Sequence, residues 1–149
     1  MLMNTTMKKF GYPNTCLKEF SQWVVLLRPQ QVTLGSLILI CREEATAFSQ
    51  ISADAFRELP EIIREIETSV SRTFGYSKIN YLMLMMVDPE VHFHVIPRYD
   101  TPRLFSQQQF LDHGWPGPPL LKNSNDTSEE VYQNIFSHLK NNWIQKVAN

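Results

Sequence analysis

Residues 90–98, EVHFHVIPR, alternate between apolar and titratable side chains in the way an extended strand requires. Successive side chains of a strand point to opposite faces, so Val91, Phe93 and Val95 take one side and Glu90, His92 and His94 the other. Burying the three apolar side chains against a helix is worth about 1.5 to 3 kcal/mol each, enough to fix the register. A slip by one residue would bury both imidazoles in the apolar layer. The segment therefore demands a sheet with one packed face, and it sets two of the four histidines side by side.

The flanking sequence supplies the rest of that sheet. Trp23–Leu27 and Leu37–Cys41 are continuous apolar runs ended by arginine and read as two paired strands. Ser52 precedes Phe56, Leu59, Ile63, Ile66, Val70 and Phe74, a helical stripe ended by Gly75, with Pro60 expected to bend the helix or delay its start. Two further strands follow over residues 79–87 and 91–96, split by a turn at Asp88-Pro89-Glu90. From Tyr99 onward four of the nine prolines gather in a long arm containing HGWPGPP, which we read as covering for the sheet, with nothing to assign Arg103. A capping box of Thr127 and Glu130 then opens a last helix carrying Tyr132, Ile135, Phe136, Leu139, Trp143 and Val147. The expected architecture is α+β: a mostly antiparallel sheet in ββαββ order with helices on one face, one of them C-terminal.

A length of 149 residues suits one domain, with a core over about residues 20–99 and an arm and helix over about 100–149. Cys16 and Cys41 lie far apart with no CxxC pair, which excludes a disulfide scaffold or a cysteine-built zinc module and fits a reducing compartment. A net charge of -1 gives no field for coating nucleic acid, so any anion site must be local. No apolar run is long enough for a membrane span, and MLMNTTMKKF lacks the apolar core of a signal peptide; we expect a cytoplasmic protein.

The titratable face can do chemistry. Neutral imidazole is a competent nucleophile near pH 7, since its ordinary pKa is about 6.5. Glu90, about 7 Å along the strand from His92, would favour the protonated ring if its carboxylate faced it. His94 on the same side could hold a proton for a leaving oxygen or donate to a phosphoryl oxygen, and Arg98 would add a fixed positive charge. Such a set suits attack on an anion.

VHFHVIPR resembles the signature of the histidine triad superfamily, a His-φ-His-φ-His-φ-φ pattern with Pro-Arg often following, and GSLILI resembles that family's Gly-His-hydrophobic strand. The ββαββ order is similar as well, so the likeness spans about residues 23–99. It implies a hydrolase or transferase that cleaves a phosphoanhydride or phosphoramidate bond of a nucleotide derivative, such as a dinucleoside polyphosphate, through a covalent nucleotidyl-histidine. By position His92 is the implied nucleophile and His94 the implied contact to the phosphoryl group and bridging oxygen. A homodimer is implied too. No cofactor is expected to be bound by the protein; Mg²⁺ would arrive, if at all, on the substrate's phosphates.

Three positions depart from that pattern. Glu90 stands where the first histidine of the triad would be, Ser36 follows Gly35 where histidine is frequent, and the phosphate-contacting loop is shortened to Val87-Asp88-Pro89. Arg28, near the family's ribose-binding Asn or Asp, offers a guanidinium to a phosphate in its place. The departures leave a second class open, a nucleotide-binding or sensing module on the same fold that has lost turnover. A metal site on Glu90, His92 and His94 is disfavoured, because ligands at i, i+2 and i+4 of a strand span about 13 Å and do not converge on one ion.

Overall fold

The computed structural model describes residues 3–145. Its elements are α1 (Thr5–Lys9), β1 (Cys16–Glu19), β2 (Trp23–Leu27), β3 (Leu37–Cys41), a short 3-10 turn (Phe48–Gln50), α2 (Ala53–Phe74), β4 (Lys78–Leu82), β5 (His92–Arg98), β6 (Arg103–Phe105), β7 (Gln108–Phe110) and α3 (Glu129–Asn141). Five strands form one antiparallel sheet in the spatial order β1-β2-β3-β5-β4, and β6 and β7 form a separate hairpin in the arm. The ββαββ core is thus present, with β1 added to one edge from residues that carried no strand signal.

Every residue of β2 and β3 is buried. That explains why their sequences run continuously apolar, since a strand covered on both faces has no solvent side to mark with polar residues. Trp23, Val25, Leu27, Leu37, Leu39 and Cys41 pack with α2 and α3, whereas Val24, Leu26, Ile38 and Ile40 pack with Met7 and Phe10 of the N-terminal segment. The expectation of helices on one face is therefore corrected: α1 covers the opposite face.

Ser52 caps α2 by accepting from the Ala55 N–H, and Gly75 ends it in the left-handed region at φ 62°. Pro60 does not delay the helix, which starts seven residues earlier at Ala53; it lies on the exposed side and removes the bond to the Phe56 carbonyl. Ile62, Ile66 and Val70 are fully buried, but Phe56, expected in the stripe, is 41% exposed and packs on Phe48. The α3 cap is Ser128, which accepts from the Val131 N–H, and not Thr127. Trp143 lies beyond the helix and donates its indole N–H to the buried Glu65 at 3.1 Å, and Val147 lies outside the described residues.

The strand expected over residues 79–87 ends at Leu82. Its last residues turn out of the sheet, Met85 adopts φ 51°, and the following acids are drawn towards α1, so no tight turn forms at Asp88-Pro89-Glu90. The arm does cover the sheet's far end. Asn125 donates to the Gln31 and Val32 carbonyls, and Asp112 receives a bidentate pair from Arg98 at 2.7 and 2.9 Å. Arg103 rests over the Tyr99 ring and donates to the Gly75 carbonyl. Cys41 is a buried thiol and Cys16 a half-buried one, and burial pushes both up to about 11. No helix among the described residues is long and apolar enough to cross a membrane.

Asp112→Ala would leave the buried Arg98 guanidinium without its carboxylate, and we expect urea unfolding to report a loss of about 3 to 5 kcal/mol. Arg57→Ala breaks only an exposed pair with Asp54 and should change stability by less than about 1 kcal/mol. Similar effects for the two variants would contradict this placement of Arg98.

Candidate active site

The register of β5 against β3 sets the site. His92 lies opposite Ile40 and His94 opposite Ile38, so both imidazoles share the face of Ile38 and Ile40, under α1. Their ring centroids are 5.1 Å apart with planes at 75°, edge to face. Phe10 stands 6.2 Å from one ring and 6.3 Å from the other. The titratable face is itself covered: His92 is 1% and His94 8% exposed. In front of the two rings remains a cavity of about 220 Å³, lined by Lys9, Phe10, Arg28, Gln30, the loop from Leu84 to Asp88, and the two histidines.

His92 Nδ1 lies 2.7 Å from the backbone carbonyl of Glu90. A carbonyl only accepts, so Nδ1 must carry the proton, and in the neutral ring the lone pair then sits on Nε2. The Glu90 carboxylate does not face the ring as its position in the alternation suggested. It accepts from the Thr5 N–H at 2.8 Å, the Thr5 hydroxyl at 2.7 Å and the Thr6 hydroxyl at 3.0 Å. The reason is local: regular pairing starts at His92, and just before it the Val91 N–H bonds the Ala45 carbonyl while Glu90 turns towards α1. Burial would raise the Glu90 carboxyl, but these threonine donors outweigh it and hold the group below its ordinary range.

His94 differs from its neighbour. Its Nδ1 is buried without a hydrogen-bond partner among the described residues. Burial, followed by the nearby His92 and Arg28, lowers its pKa to about 4. It is therefore neutral at pH 7 and not a stored cation.

Of the expected substrate contacts, the fold brings only Arg28 to the cavity. Arg28 continues the even-numbered face of β2 after Val24 and Leu26, which is the histidine face. Its Nη1 donates to the Gln30 carbonyl at 2.8 Å, and its buried Nε has no partner among the described residues. Burial lowers its pKa, an effect opposed by Asp88, and a guanidinium stays charged nonetheless. Arg98 lies elsewhere: its guanidinium is committed to Asp112 and Asn80. Ser36 is a turn residue, its hydroxyl donating to the Thr33 carbonyl and accepting the Thr33 N–H. Both expectations are corrected for one reason: neither side chain lines the histidine cavity, Ser36 being folded into its own turn and Arg98 facing a separate hollow beside Asn80 and Trp115.

Sequence reasoning missed Lys9, Phe10, Thr5 and Thr6. Asn4, which caps α1 by accepting from Met7, and the apolar pair Met7 and Phe10 are the local signs that could have found the helix. Lys9 pairs with Asp88 at 2.7 Å across the cavity mouth. Among the described residues no group of three or more His, Cys, Asp or Glu side chains is placed to hold a metal ion. Glu90 points to α1, so it does not converge with the two imidazoles.

The low His94 value has a thermodynamic consequence. Between pH 6.5 and 4 the unfolded chain binds a proton that the folded protein refuses, so stability carried above pH 6.5 is lost as the pH falls towards 4. We expect an NMR titration to place the His94 midpoint near 4, and His94→Asn to flatten part of the acid loss of stability seen by denaturation. A midpoint near the ordinary imidazole value would contradict this burial.

A scan against protein-family models finds no match for the sequence. A search of curated proteins finds none either. Solved structures do match over nearly the whole chain. A histidine triad protein from Marinobacter aquaeolei superposes with a TM-score of 0.74 at 20% identity, covering 98% of each chain. Another, from Bradyrhizobium japonicum, gives 0.72 at 16% identity over 96% of this chain and 98% of its own. A third, from Sinorhizobium meliloti, gives 0.71 at 17% identity over 95% and 96%. The sheet order, the paired imidazoles on β5 and these superpositions together establish that the chain has the fold of the histidine triad proteins.

Proposed function

We propose that the protein is a nucleotide hydrolase or nucleotidyl transferase in which His92 Nε2 attacks phosphorus. The observation that carries this reading is the hydrogen bond from His92 Nδ1 to the Glu90 carbonyl, which leaves the Nε2 lone pair as the ring's free nucleophile. Attack forms an N–P bond and breaks the bond from phosphorus to the leaving oxygen or nitrogen. The ring becomes cationic without losing a proton, and its Nδ1–H keeps its acceptor. Water or another acceptor then breaks the N–P bond and returns the lone pair to Nε2. Neutral His94, protonated on Nε2, donates to a phosphoryl oxygen or the leaving atom, and Arg28 pairs with the substrate's negative charge.

The substrates that fit are phosphoanhydrides and phosphoramidates of nucleotides, dinucleoside polyphosphates included. The histidines require no metal ligand for this chemistry; Mg²⁺ would ride on the substrate's phosphates. A homodimer in a reducing cytoplasm completes the reading. Both cysteines are free thiols, and β4 is an edge strand of the sheet, the kind of element a second copy can pair with.

A second reading, a binding or sensing module, draws on Ser36 and Arg98 being committed to the fold, which leaves only Arg28 of the three expected substrate-binding residues at the cavity. One experiment separates the two. The protein is incubated with a panel of dinucleoside polyphosphates and nucleoside phosphoramidates, quenched in alkali, and its peptides weighed. We expect a nucleotidyl mass on the His92 peptide, and a loss of turnover of at least about a thousandfold in His92→Ala with the fold retained. Nucleotide binding without modification would favour the sensing module, and normal turnover in His92→Ala would refute the enzyme.

A further inference from the structure

Asp88 and Glu90 bracket Pro89 on the loop entering β5, and both reach the same short helix. Glu90 takes three donors from its first turn, the Thr5 N–H and the Thr5 and Thr6 hydroxyls, and Asp88 takes the Lys9 ammonium at its end. Between these anchors Met7 is buried against the sheet, while Phe10 contacts both imidazoles and forms a wall of the cavity with Lys9. The opposite wall is the loop that carries Asp88. Glu90 thus makes contacts in two directions: its carboxylate holds α1, and its carbonyl holds the His92 ring.

We propose that Glu90 is a positioning residue that closes the site, its carboxylate clamping the N-terminal helix over the two imidazoles while its carbonyl orients the nucleophile. The inference rests on His92 being that nucleophile. It explains an acid at this position without giving it any proton transfer, since every observed carboxylate contact goes to α1. A histidine there could not accept all three donors at once, so an imidazole in place of Glu90 would release the helix.

The test uses two variants of the full chain. Thr5→Val with Thr6→Val removes both hydroxyl donors at constant shape without touching the cavity, and Glu90→Gln keeps the side chain's size but lowers its accepting capacity. The readout is the His94 titration midpoint by NMR, compared with wild type. The groups facing His94 are His92 on its own strand, Arg28 beyond β2, Asp88 on the loop and Lys9 on α1. With the clamp loosened, water reaches the rings and Lys9 departs, so the midpoint should rise by more than one pH unit in both variants. An unchanged midpoint in the folded threonine variant overturns the proposal, even if Glu90→Gln does not fold. A shifted midpoint in a protein whose wild type never forms the His92 adduct leaves the clamp standing and removes only the enzymatic reading.

Discussion

The hydrogen bond between the His92 ring and the Glu90 carbonyl decides what the site can do, because it sorts the two ring nitrogens into a donor and a lone pair. That bond exists only because β5 begins its pairing at His92. One residue earlier the chain turns from the sheet, so the carbonyl of Glu90 faces back to the ring while its carboxylate faces away. The register of β5 on β3 is held by Val91 and Val95 in one apolar layer, and by Ile38 and Ile40 beside the histidines in the other. Apolar burial on both sides of the sheet therefore fixes the position of a polar pair to within one strand residue.

A site so covered has unusual electrostatics. His94 is kept neutral by burial, Lys9 is paired with Asp88, and Arg28 is a buried cation whose Nη1 donates to the Gln30 carbonyl and whose Nε has no partner among the described residues. The cavity thus presents the two imidazoles, the Arg28 guanidinium and the Lys9–Asp88 ion pair. An incoming phosphate would satisfy the guanidinium and gain strength from the low dielectric around it. The loop opposite carries apolar side chains out to the rim, with Met86 at 86% exposure, beside the charged pair of Lys9 and Asp88.

Much of this was legible in the sequence because strand alternation and helix capping are local. The β2, β3 and β5 strands, the Ser52 cap and the Gly75 stop follow from short windows, and so does the shared face of His92 and His94. What escaped depended on long-range pairing. Glu90 meets Thr5 across 85 positions and Arg98 meets Asp112 across 14, and no periodicity announces either. The alternation rule also failed at its own boundary: Glu90 shares the parity of His92 but precedes the strand, so parity says nothing of its direction. The apolar run to Val87 misled in the same way, since it leaves the sheet after Leu82 to wall the cavity.

The free nitrogen on His92 is the centre of the account, and nitrogen-15 NMR of the imidazole ring reads it directly. At pH 8 the His92 ring should show a protonated Nδ1 and an unprotonated, pyridine-like Nε2, with the Nδ1 proton exchanging slowly with water. A ring protonated on Nε2, or one averaging rapidly between tautomers, would contradict it.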